Sequence, residues 1–116
     1  MAAVGYVLLF RAVGPLELAD IFSFGGFRPI PSSMQGKWFA EFLDHAEEWG
    51  QKLYQRGEPF HVVQLEVPQD AADQMLRIPN LDQVGPARYA EGDLLELLNQ
   101  TNLGITEIPP PHKGVP

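Results

Sequence analysis

The stretch FHVVQLEVP, residues 60–68, is the clearest strand in this chain, and the rest is read outward from it. His61, Val63, Leu65 and Val67 point one way and Phe60, Val62, Gln64 and Glu66 the other, at the two-residue period of a pleated strand. Pro68 ends the run. Upstream, GKWFAEFLDHAEEWG at 36–50 reads as a short extended KWF piece that turns into a helix over about 42–55. Phe39, Phe42, Ala46, Trp49 and Leu53 recur at spacings of three and four, which gives one apolar stripe with Asp44, Glu47, Glu48, Gln51 and Lys52 opposite. GYVLLFR at 5–11 reads as a buried strand ending on a charge.

GPLELADIFSFGG then predicts a short helix. Pro15 suits the first helical position, Glu17 sits in the first turn, and Gly25-Gly26 stop it. Its apolar residues are Leu16, Ala19 and Phe22, with Leu18 and Ile21 filling in. FRPIPSSMQG at 27–36 is expected to be a loop, because its prolines, serines and glycine prevent regular structure. Downstream, QDAADQML predicts a short helix, and RIPNLDQVGPARYAEGD a long loop with one brief extended piece at 88–90. Asp93 is expected to cap the helix LLELLNQ. LGITEI is the last strand, and PPPHKGVP an extended tail whose prolines cannot join a sheet interior. The order predicts an α+β domain over 1–108, a small mixed or antiparallel sheet with short helices, followed by a tail over 109–116.

The totals narrow the function. At 116 residues, 45% of them hydrophobic, the chain suits one folded domain. No apolar run approaches the ~20 residues of a membrane span, so no membrane partner is expected. The absence of cysteine excludes disulfides, thiolate chemistry and Cys-based zinc sites. His45, His61 and His112 show no metal-ligand spacing, so no metal is expected. A net charge of −7 argues against a broad nucleic-acid surface. Dinucleotide-fold, P-loop and nucleophile-elbow motifs are missing.

Each remaining candidate has two readings. Arg11, at a strand end before a Gly-Pro turn, is either a surface arginine or a fixed bidentate clamp for an anion. Glu41, beside Trp38 and Phe39, is either a first-turn carboxylate favoured by the helix dipole or a carboxylate in an apolar corner that stabilises a cation. Glu91, after GPARYA, is either a helix N-terminal residue or a catalytic carboxylate.

Four stretches taken in order, YVLLFRAVGPLELADIFSFGGFR, GKWFAEFLDHAEEWG, FHVVQLEVP and NLDQVGPARYAEGDLLELLN, resemble the small toxin domains at the C-termini of bacterial polymorphic and Rhs-type secreted proteins. The nearest kind is an ADP-ribosyltransferase-type domain, and the resemblance spans residues 5–103. It implies an ADP-ribosyltransferase-like fold and NAD as substrate, with no metal. Arg11 would contact the NAD phosphates or ribose, and Phe27, Lys37, Trp38, Phe39 and Tyr89 would line the nucleotide site. Ala40 stands where the family commonly has Ser or Thr, so Glu41 takes over that role. Glu91 is the late carboxylate that stabilises the ribose cation, with Glu107 a second option. The same resemblance implies a macromolecular acceptor, a cognate immunity protein, and a delivered effector acting in the target-cell cytoplasm. Alternatives are an NAD glycohydrolase, a non-enzymatic interaction or immunity protein, and a ribonuclease.

Overall fold

A computed structural model of the chain describes residues 5–29, 36–54 and 58–113. Strands and helices alternate almost throughout: β1 (Tyr6–Val13), α1 (Pro15–Phe24), β2 (Gly36–Ala40), α2 (Leu43–Leu53), β3 (Pro59–Pro68), α3 (Gln69–Asp73), β4 (Leu76–Leu81), β5 (Gly85–Glu91), α4 (Asp93–Thr101) and β6 (Gly104–Lys113). The strands form one six-stranded sheet in the order β4-β5-β2-β1-β3-β6. Every neighbouring pair is antiparallel. The α+β expectation is met, and the sheet is antiparallel rather than mixed.

The alternation of β1 and β3 sets up three layers. Leu9, Val13, Val63, Leu65 and Val67 share one core with Phe39 of β2 and with Ile21 of α1, Ala71 and Ala72 of α3, and Leu95 and Leu98 of α4. Phe10, Val62 and Phe60 share a second core with Ala40 and with Ala46 of α2. One face of the sheet therefore carries α1, α3 and α4, and the other carries α2. Both faces of β1 and β3 are apolar because both are covered.

Several local expectations need correction. The stretch 77–93, read as a loop, forms most of the hairpin β4–β5. Asp82 and Gln83 make its turn at φ 53° and 63°. A turn with two left-handed residues matches strand twist, but Asp-Gln is a poor sequence signal for it beside Asp-Gly. The tail expected from 109 is instead strand to Lys113, and its prolines sit on an edge strand, where a missing N–H costs least. Asp93 is the first residue of α4; Gly92 holds the cap position, with no side-chain cap. Helix α2 is shorter at both ends than expected. Most of the predicted 27–36 loop lies outside the described residues.

The rotation of two helices also differs. Leu16 is 85% exposed and Phe22 51%, while Leu18 and Ile21 face the core. The cause is Glu17, which lies on the same side as Leu18 and Ile21 and must reach Arg11 of β1. At α2, the cap residue Phe42 and the last residue Leu53 are exposed, and the small residues Ala46 and Gly50 face the sheet. Phe60 fills that space: a Cβ on Gly50 would fall on its ring.

Candidate functional site

Strands β1 and β2 register at one position, Phe10 opposite Ala40. Arg11 follows Phe10 on β1, and its side chain reaches across to β2. Its Nη1 donates to the Trp38 carbonyl at 2.9 Å. Its Nε and Nη2 donate to the two carboxylate oxygens of Glu17 at 2.7 and 3.0 Å. The Lys37 ammonium lies 3.6 Å from the same carboxylate. Two cations thus share one carboxylate in a site where Lys37 is 3% exposed and Glu17 15%. Burial pushes the Glu17 carboxyl up, but the hydrogen bond and charge of Arg11, with Lys37 adding, hold it below its ordinary value. Burial lowers Lys37, partly opposed by Glu17 and reinforced by Arg11.

From Trp38 the contacts continue outward. Its ring lies 4.8 Å from that of Tyr89, its partner across the β2–β5 ladder. The Tyr89 hydroxyl donates to Glu91 at 2.8 Å. That bond raises the Tyr89 phenol, with slight burial and the Glu91 charge in support, so it stays protonated and donating. Arg11, Trp38, Tyr89 and Glu91 form one unbroken run across three strands.

A cavity of about 380 Å³ opens beside this run, between the sheet, α2 and the tip of the β4–β5 hairpin. Trp38, Trp49 and Tyr54 supply aromatic wall, Leu53 and Leu81 aliphatic wall, and Arg11, Lys52 and Asp82 charge. Its volume is in the lower part of the ~300–1,000 Å³ range of ligand pockets.

The other sequence candidates stand elsewhere. Phe27 and Phe39 are 1% and 0% exposed and pack edge-to-face at 5.1 Å. They are core residues and line no cleft, because each points into the layer of α1, α3 and α4. Lys37 is buried under Glu17 and does not line the cavity. Glu41 accepts from Arg77 at 2.7 Å and from Arg88 at 2.8 Å. The Arg77 hydrogen bond is the main reason its carboxyl lies below the ordinary range. Arg88 also donates to the Ala72 carbonyl at 2.6 Å. Glu41 therefore clamps the end of β2 to β4, β5 and α3, and presents no free carboxylate to a ligand. Glu107 pairs with His61 at 2.9 Å, on β6 and β3. Among the described residues no group of three or more His, Cys, Asp or Glu is placed to hold a metal.

Sequence reading missed Glu17 as the partner of Arg11, and it missed the cavity walls Trp49, Lys52, Tyr54 and Asp82. Trp49 was visible only as part of a helical stripe, and Asp82 only inside a supposed loop. Comparisons with protein-family models, curated proteins and solved structures found no match for this chain.

Proposed function

We propose that this chain is an NAD-dependent mono-ADP-ribosyltransferase domain with an ADP-ribosyltransferase-like fold, acting on a macromolecule. One observation carries the reading: Arg11, Trp38, Tyr89 and Glu91, scattered through the sequence, join in one run, and its Arg11 and Trp38 line an open cavity that Tyr89 and Glu91 do not. A guanidinium has five N–H donors; three are used here, and the remaining two are left for a phosphate oxygen. The Trp38 ring offers a surface for a planar base. Glu91 is exposed and held by Tyr89, which suits a carboxylate that must face a developing positive charge.

In the proposed reaction the bond between ribose C1′ and the nicotinamide nitrogen breaks. Its electron pair leaves with neutral nicotinamide, and the cationic ribose forms opposite Glu91. An acceptor nucleophile then bonds to C1′ and gives up its proton to solvent. Water as acceptor makes the same site an NAD glycohydrolase. The resemblance further supports a delivered effector of the target-cell cytoplasm, restrained by a cognate immunity protein. A non-enzymatic interaction protein is the second reading, favoured by the exposed Leu16 and Phe22 on the outer side of α1.

The test is transfer from a tagged NAD analogue in bacterial lysate. Wild type labels macromolecules, and Glu91→Gln lowers the rate by about a hundredfold or more while leaving the fold unchanged. NAD loss without labelling identifies the glycohydrolase. Intact NAD with no labelling sinks the enzyme reading and favours the interaction protein.

A further inference from the structure

We infer that Lys37 is a positioning residue for anion binding: by sharing Glu17 it leaves the Arg11 guanidinium with charge to hold a phosphoryl group in the cavity. The inference rests on the reading of Arg11 as the phosphate contact. Arg11 and Lys37 lie 2.7 and 3.6 Å from the same carboxylate oxygen, Glu17 Oε2. A cation with a carboxylate to itself makes a neutral pair, which attracts a second anion weakly. Here two cations divide one carboxylate, so the trio carries a positive charge in excess. Asp20, whose charge also acts on Lys37, is itself balanced by Arg28 at 2.7 Å. Every Asp and Glu of the chain is among the described residues, and no carboxylate besides Glu17 pairs with Arg11 or Lys37 there.

The excess is delivered at one point. Lys37 is buried and lines no part of the cavity, so it touches no ligand there. Arg11 does line it. Glu17 and the Trp38 carbonyl take three of the five guanidinium donors and hold the group from α1 and from β2. The two remaining N–H groups are therefore oriented before any ligand arrives, which spares the ligand the cost of ordering them. The two cations are not interchangeable. An ammonium is a point charge that needs only to sit beside the carboxylate, while a guanidinium offers a planar fork matched to phosphate oxygens. On a chain of net charge −7 a phosphoryl group is repelled at long range, so the local excess decides whether it is held.

The experiment is calorimetric titration of the chain with inorganic pyrophosphate, in a double-mutant cycle over Lys37→Met and Glu17→Gln. Lys37→Met weakens pyrophosphate about three- to tenfold in wild type. In the Glu17→Gln background, where Arg11 has no carboxylate to share, Lys37→Met changes the affinity by less than about twofold. Lys37→Arg keeps a cation beside Glu17 and holds the affinity within about twofold of wild type, an arm that needs no folded Glu17→Gln. In NAD turnover, Lys37→Met raises KM and leaves kcat unchanged. No saturable pyrophosphate binding, unchanged affinity in Lys37→Met, or equal weakening in both backgrounds overturns the inference; the last would mark a direct charge effect that does not pass through Glu17. Displacement of pyrophosphate by NAD ties the site to the dinucleotide. Lys37-dependent pyrophosphate binding that NAD does not displace leaves the role of Lys37 standing and removes the nucleotide reading. NAD turnover with a KM unmoved by Lys37→Met does the reverse.

Discussion

Replacing Glu17 by Gln tests the seam between β1 and β2 directly. The Glu17 carboxylate is 15% exposed and faces Arg11 at 19% and Lys37 at 3%. Without it, two cations face each other with no counter-charge. Removing one partner from a buried ion pair costs about 3–5 kcal/mol. Arg11 retains some water, which lowers the expectation to about 2–3 kcal/mol. With a urea slope of about 1–3 kcal/mol per molar, the midpoint falls by roughly 0.7–3 M. The pH dependence has a definite sign. Glu17 lies below its ordinary value when folded, so its contribution is present above the unfolded pKa of about 4.3 and is lost as pH falls through the folded value. Glu17→Gln should therefore flatten the acid limb of the stability curve. Adding Lys37→Met should restore part of the loss, since the orphaned ammonium is gone. Urea melts of the three variants between pH 3 and 7 give the comparison. A loss below about 0.5 kcal/mol, or no rescue by Lys37→Met, refutes the view that this carboxylate holds the seam.

Two further substitutions probe the packing that positions the site. Gly50→Ala improves helix propensity by about 1 kcal/mol, yet the new Cβ falls on the Phe60 ring and overpacking costs about 1–3 kcal/mol. A net loss in wild type that disappears in a Phe60→Leu background, read from a double-mutant cycle, is expected. Asn99 accepts the Phe27 N–H and donates to the Phe27 carbonyl, both at 2.7 Å. Asn99→Ala leaves both groups unpaired and should cost about 2 kcal/mol, with faster hydrogen exchange at the Phe27 amide; unchanged exchange there counts against this role.

The parts of this fold that could be read from sequence are those where periodicity and punctuation agree. β1 and β3 are strand-length apolar runs bounded by turn signals, and Pro15 and Gly25 bracket α1. The hairpin β4–β5 was hidden because Pro79 and Pro86 interrupt its strands and Asp82-Gln83 is an unusual turn pair. The outward face of α1 was hidden for a different reason. Its rotation is fixed by an ion pair between Glu17 and Arg11, and no helical period reports a tertiary partner. The same holds at the site. Arg11 and Trp38 were legible as types suited to a ligand, and strand register joins them. Glu41 had the same local signature as a site carboxylate, but Arg77 and Arg88, 36 and 47 residues away in the chain, claim both its oxygens.

The single register pair between β1 and β2 divides the sheet into two three-stranded panels, β4-β5-β2 and β1-β3-β6. Each panel is laddered within itself; between them one backbone register pair, the Arg11 side chain and the two shared cores make the join. The break between the two ladders thus falls at Arg11 and Trp38, the residues proposed to receive the nucleotide.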